Sequence, residues 1–469
     1  MVFSGIEFLY VFLPLCLILY FLTGDKQGKN VVLILFSLIF YAWGEPVWVI
    51  LLIFSSFVDF FCGKFVGRHH GKPSAKLGVV ISLTVNLGLL AVFKYTGFFV
   101  ENLNAVTGLT LSVPTFSLPI GISFYTFQTI SYTVDVYRGE VDVQKSFLKF
   151  LMYVSLFPQL VAGPIVRYSV IEDEINNRKT TLSGFSHGLS RFILGLGKKV
   201  IIANTVGELV SLTLDKGISS SMGAWAGVLM FSFQIYFDFS GYSDMAIGLG
   251  EMFGFHYHEN FNYPYVSKSV SEFWRRWHIS LGSFFRDYLY IPLGGNRKFP
   301  IRNLLIVWFL TGLWHGASWN FVIWGLYFGF FIIIEKLFMG KILDRIPAFF
   351  SHLYLLIIVV FGWAVFFFTD LTKLLNCLKA MLFISDIPAS DEIVSTELMS
   401  KIYVIAAAVI ISTGILKRLW RFILKKAEES RRLFGLASAV QTVSLAAILI
   451  VSSILLVGGS YNPFLYFRF

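Results

Sequence analysis

Charge is scarce in this chain: of its 469 residues, 14% are Asp, Glu, Lys or Arg and 56% are hydrophobic. A water-soluble domain carries roughly 25% charged residues. The charge available cannot cover a water-facing surface, so the chain must face lipid. Cysteine is scarce too. Cys16, Cys62 and Cys377 are odd in number and lie in or near apolar stretches, which argues against a disulfide framework, and no CxxC pair is present to hold a metal. The P-loop, the dinucleotide fingerprint and HExxH are all missing, as is any low-complexity tract. No internal repeat is visible, which weighs against a transporter built from inverted halves. The opening residues 1–7 contain no basic residue, so the first apolar segment is expected to be a retained span, not a cleaved signal. Two apparent motifs lead nowhere. Gly184-Phe185-Ser186-His187-Gly188 matches GxSxG, but that elbow needs a strand-to-helix turn and no sheet is legible here. His256-Tyr257-His258 offers two ligands with no third at suitable spacing, so no metal site is expected.

What the chain has instead is apolar length. A helix needs roughly 20 mostly apolar residues to cross a bilayer, and such stretches recur at 6–22, 47–62, 77–100, 353–368 and 436–456. The pattern predicts an all-α polytopic membrane protein of about 12 transmembrane or re-entrant helices. No interval is long enough for a soluble domain, so one membrane domain is expected over residues 1–469. The 51 phenylalanines suit lipid-facing surfaces and close helix packing. The net charge of +10 fits cytoplasmic loops under the positive-inside rule and calls for no nucleic acid. Lys64, Arg68, Lys72 and Lys76 share a loop with no acid, which is expected inside; 97–118 has Glu101 and no base, and is expected outside. Residues 417–432 carry seven bases and two acids and are expected inside, whereas 369–400 has two bases and five acids and is expected outside. Together these predict both termini outside.

Ionisable groups within apolar stretches are costly, and each marks a candidate site. Residues 303–334 carry no formal charge, and His315 sits in their middle, in Thr311-Gly312-Leu313-Trp314-His315-Gly316. The stretch is too long for one span and short for two, so two short helices are expected to meet near His315. The ring serves either chemistry or a structural bond to a backbone carbonyl. Upstream, charges and aromatics alternate along a predicted interfacial helix containing Glu272, Trp274, Arg275, Arg276, Trp277 and His278. Its basic face suits either a plain interfacial anchor or the phosphates of an anionic ligand. Asp238, Asp244, Gln128, Asp135 and Asp59 are further intramembrane polar groups, each expected to pair with a histidine or arginine of a neighbouring helix, in a structural network or in support of a reacting group.

Taken together, Pro119 to Gln128, Phe157 to Ile165, Gln234 to Met245, Glu272 to Gly295 and Leu313 to Trp324 resemble the bacterial membrane-bound O-acyltransferases (MBOAT), in the branch of alginate O-acetylation; teichoic-acid D-alanylation is its sister branch. The likeness spans most of residues 1–336, and 340–436 carries no motif. It implies a ring of tilted helices around a thinned centre, in a multi-pass protein of the bacterial cell membrane. It assigns the principal histidine to His315 and the second to His278. It implies an acyl group, expected to be acetyl, passing from a cytoplasmic thioester such as acetyl-CoA toward a hydroxyl on a cell-surface polysaccharide, with no bound cofactor. Trp274, Arg275 and Arg276 would help to hold the donor. The ending Asn462-Pro463-Phe464-Leu465-Tyr466 resembles an aromatic terminal motif of such systems. Tyr466 is then either an acyl carrier serving an extracytoplasmic SGNH-type partner or an interfacial anchor. D-alanyl transfer and lipid-linked sugar transport are the competing readings.

Overall fold

The computed structural model describes residues 1–161, 163–458 and 464–465. Helices form all of its regular structure, and no strand occurs among the described residues. Lipid offers no partners to backbone groups, and a helix satisfies them within one segment. Five helices are long and apolar enough to cross a membrane: Val49–Arg68, Ala75–Thr107, Trp319–Leu343, Ala348–Phe367 and Arg431–Gly458. A sixth is counted if Glu392–Ser400 and Ile402–Ser412, bent by 64°, form one broken span. The expectation was about twelve transmembrane or re-entrant helices. Several of the remaining apolar segments are short or broken. Phe147–Ser155 and Phe157–Leu160 are separate pieces, as are Val270–Arg276 and Ile279–Phe285. The 33-residue helix Ser221–Phe253 is outside the five and carries Gln234, Asp238, Ser240, Ser243 and Asp244. Helix starts in polar loops are capped: Asp25 accepts from the Gly28 amide at 2.9 Å, and Asp370 from the Thr372 amide at 2.7 Å.

The chain divides into two compact units, Met1–Phe192 with Met245–His258, and Ile193–Asp244 with Glu259–Phe469. In the first, Asp59 is fully buried. Its carboxylate accepts from Asn86 Nδ2 at 2.6 Å, Thr133 Oγ1 at 3.0 Å and the Ser82 hydroxyl, tying three helices together. Gln128 is buried on Ile122–Arg138, and neither end of its side-chain amide has a partner. Ser186 and His187 of the GxSxG match lie within the helix Leu182–Gly197, and His187 Nδ1 is 2.6 Å from Glu251. His256 pairs with Glu174 at 2.6 Å. Among the described residues no three His, Cys, Asp or Glu side chains are grouped to hold a metal. The second unit has an aromatic core that includes Phe273, Trp277, Trp308, Trp324, Phe328, Trp363 and Phe366.

Candidate functional site

The uncharged stretch forms a hairpin of Pro300–His315 and Trp319–Ile334, broken at Gly316-Ala317-Ser318. Its arms lie almost backbone to backbone. A Cβ on Gly312 would collide with the Phe321 carbonyl oxygen, and one on Gly325 with that of Trp308. Small residues at such crossings let membrane helices approach closely. Gly312→Ala is therefore expected to cost about 1–3 kcal/mol, read as a lower thermal midpoint of the detergent-purified chain. Gly435→Ala is the control, since nothing stands within 4 Å of that site, and should not lower the midpoint. Equal midpoints for both variants would mean that the crossing tolerates bulk.

His315 ends the first arm and is 5% exposed. Its ring meets Trp324 edge-on at 4.9 Å and Phe366 at 5.3 Å between centroids. Asn320 holds the far side of the break by donating to the Phe366 carbonyl at 3.2 Å.

His278 departs from the expected continuous interfacial helix. It stands at φ 45°, ψ 54°, in the left-handed region, between Val270–Arg276 and Ile279–Phe285. A non-glycine residue held there costs roughly 1–3 kcal/mol and persists only where its surroundings demand it. Those surroundings are specific. The Asn260 side-chain oxygen accepts from the Ser280 amide at 3.2 Å, which fixes which end of the carboxamide faces inward. The same oxygen lies 3.2 Å from His278 Nδ1. Asn260 is held in turn by donating to Ser243 Oγ at 3.1 Å, and its carbonyl accepts from the Ile279 amide. An acceptor facing Nδ1 assigns the proton to that nitrogen and leaves Nε2 with its lone pair. His278 lies outside the membrane-crossing helices, and burial pushes its imidazole down from the usual 6.5 to about 3, so it is neutral at physiological pH. Phe239 packs edge-on against it at 4.6 Å. Both histidines flank Trp314, His278 at 5.9 Å and His315 at 5.0 Å between ring centroids.

Lysines, which the sequence reading did not name, stand beside both aspartates. Asp238 meets Lys199 at 2.5 Å, both deeply buried, and Asp244 meets Lys198 at 2.6 Å. The adjacent Lys198-Lys199, lodged in an apolar stretch, was the missed signal. Asp238 also accepts from the Leu465 amide at 2.8 Å. Phe464 packs on Phe239 at 5.6 Å and on Tyr242 at 4.9 Å. Phe464 thus packs against the same phenylalanine that touches His278. Tyr466 itself falls outside the described residues.

Trp274, Arg275 and Arg276 differ in role. Trp274 packs among Trp308, Trp324 and Phe328. Arg276 is held by Glu272 at 2.8 Å. Arg275 is exposed and lines a cavity of about 410 Å³ together with Lys268 and Lys336. Two of the three acids at that cavity are engaged by backbone amides: Glu335 caps Val270–Arg276 by accepting from the Val270 and Ser271 amides at 2.6 and 2.8 Å, and Glu272 accepts from the Lys268 amide; Asp344 is the third acid in the lining. Gln128 belongs to the other unit. Asn260 was not legible in the sequence, because 18 residues separate it from the histidine it orients.

Against known proteins, residues 38–378 match the model of the membrane-bound O-acyltransferase family. The chain is 40% identical to a probable alginate O-acetylase of Pseudomonas putida over 495 aligned residues, covering 100% of both. It is 35% identical to a peptidoglycan O-acetyltransferase of Helicobacter pylori, covering 80% of this chain and 78% of that protein. To a teichoic acid D-alanyltransferase of Streptococcus thermophilus it is 29% identical, covering 47% and 58%.

Proposed function

This chain belongs to the membrane-bound O-acyltransferase family, and from that premise we propose that it moves an acetyl group from a cytoplasmic thioester donor, acetyl-CoA, across the cell membrane for O-acetylation of a cell-surface polysaccharide. Family membership makes it an O-acyltransferase and turns the argument away from a sugar transporter. The observation that carries the finer reading is the pair of buried histidines flanking Trp314, beside the seated residues Phe464 and Leu465.

The chemistry follows from that pair. An alcohol is a poor nucleophile at neutral pH, and a neutral imidazole can take its proton as the oxygen attacks. His315 takes the hydroxyl proton. The oxygen adds to the thioester carbonyl, the tetrahedral intermediate expels the thiolate, and the imidazolium returns the proton to sulfur. His278, held neutral by burial and oriented by Asn260, presents Nε2 as an acceptor to orient the donor or relay the proton. Lys268, Arg275 and Lys336 suit the donor's phosphates, and Trp274 braces the helix that carries Arg275. In this reading one membrane domain of about a dozen helices has both termini outside. In this scheme the attacking hydroxyl is that of Tyr466, and the acetyl ester it forms is passed on to a hydroxyl of an extracytoplasmic SGNH-type partner, which regenerates the Tyr466 hydroxyl.

The test supplies labelled acetyl-CoA to the cytoplasmic face of membranes containing the partner and polymer. Label should reach the polymer with wild-type chain and fail to reach it with Tyr466→Phe, which keeps the aromatic anchor and removes the hydroxyl. Undiminished transfer by Tyr466→Phe rules out the carrier role. Label transferred only from a D-alanyl carrier protein, and never from acetyl-CoA, assigns the chain to the D-alanylation reaction.

A further inference from the structure

Ile415–Ala427 stands apart from the rest of the chain. It carries Lys417, Arg418, Arg421, Lys425 and Lys426 and no acid. At helical spacing, Lys417, Arg421 and Lys425 follow one face, with Arg418 beside them. Ile415, Leu416, Leu419 and Ile423 occupy the other, and Leu419 and Phe422 are 52% and 56% exposed. Among the described residues this apolar face stays open, with Ile415, Leu416 and Leu419 each about half exposed. Yet the helix sits between a broken span ending at Ser412 and the membrane-crossing Arg431–Gly458. A helix tethered at both ends to membrane spans, apolar on one side and cationic on the other, lies in the interface plane. Its occupant is therefore set by the surroundings: acyl chains below and headgroups beside the cations.

The root of this helix rests on the histidine-bearing segment. Gly414, at φ 71°, lets the chain turn against Tyr263, where a Cβ would stand 3.0 Å from the ring. Lys417 Nζ lies 6.0 Å from the centre of the same ring. Tyr263 is itself in the left-handed region, at φ 47°. The neighbouring Asn262 amide donates to the Arg276 carbonyl at 2.9 Å, and Asn260 orients His278.

We propose that Ile415–Ala427 is a binding surface for anionic phospholipid headgroups, and that through Gly414 and Tyr263 its seating on the leaflet steadies the 260–263 segment that orients His278. Neutral headgroups offer no net charge to the cationic face. Each basic side chain near an anionic surface contributes about 1 kcal/mol of attraction, and the attraction weakens with salt. The meaning for catalysis rests on the proposed acyl transfer; the lipid binding does not.

The test reconstitutes the full chain in vesicles of phosphatidylcholine, alone or mixed with phosphatidylglycerol. Spin-labelled phosphatidylglycerol and phosphatidylcholine report which lipid contacts the protein, and hydrogen exchange reports the 260–263 segment. Wild type should prefer phosphatidylglycerol and exchange more slowly over 260–263 when that lipid is present. The combined Lys417→Gln, Arg421→Gln, Lys425→Gln variant should lose the preference about tenfold or more and lose the added protection. Lys417→Arg with Lys425→Arg should keep both. No preference in wild type, or a preference unchanged in the glutamine variant, overturns the lipid site. A preference that leaves exchange at 260–263 unaltered overturns the link to His278. Both readouts work on a chain that transfers no acyl group, so failure of the proposed function is seen separately.

Discussion

Replacing His315 with alanine is expected to abolish acetyl transfer, by about 10²–10⁴-fold if the ring acts as the general base. The residue is 5% exposed and walled by Trp314, Trp324 and Phe366, so the substitution also leaves a small cavity. For that reason the measurement pairs the initial rate from labelled acetyl-CoA with the thermal midpoint, and includes His315→Gln, which fills space without supplying a base. Loss of transfer in both variants with midpoints close to wild type supports the catalytic role. A well-folded His315→Gln that still transfers makes the ring structural. His278 is distinguishable by pH. Its folded value, near 3, is depressed below the ordinary 6.5. Its contribution to stability is present above pH 6.5 and is lost as pH falls toward 3, where the unfolded chain takes the proton first. The pH dependence of the rate around neutrality is therefore expected to keep its shape in His278→Gln, since His278 stays neutral there. An acidic limb present in wild type and lost in that variant would show that His278 titrates in that range.

The second large effect is expected at the Lys199–Asp238 pair. Both side chains are almost wholly buried, at 5% and 1% exposure. Removing one partner of a buried pair strands the other charge and costs about 3–5 kcal/mol. Lys199→Met and Asp238→Ala should each lower the thermal midpoint markedly. Asp238→Ala should also free the ending, because it removes the acceptor of the Leu465 amide. Limited carboxypeptidase digestion reads that release. The double variant Lys199→Met, Asp238→Asn carries no stranded charge and should recover much of the loss. If each single variant matches wild type in midpoint and digestion, the pair neither braces the unit nor holds the ending. If Asp238→Ala frees the ending, the proposed acetyl transfer to the polymer should fall with it, since the carrier role proposed for Tyr466 would depend on Phe464 and Leu465 being held.

Composition determined that this chain faces lipid, and its continuous apolar runs determined that it is helical, because a barrel strand alternates in polarity whereas a run of about 20 apolar residues pairs its backbone only within a helix. Local pattern marked His315 as well: one imidazole in an uncharged stretch, next to glycines, is conspicuous in one dimension; the expected break beside it is observed, but only the first arm is short, and the second runs on as the membrane-length helix Trp319–Leu343. Resemblance in motif pointed to the family, and the match over residues 38–378 agrees. The partners were legible nowhere in the sequence. Lysines that the sequence reading did not name stand beside Asp238 and Asp244, because a charge takes whichever neighbour the packing delivers. The interfacial helix around His278 was expected to be continuous, but Asn260, a loop residue distant in sequence, holds it broken in the left-handed region. The seating of Phe464 and Leu465 against the core likewise depends on residues more than two hundred positions away. Period and polarity are properties of a segment and can be read along it; tautomer, ion-pair choice and anchorage are contacts between distant segments, and only the folded chain creates them.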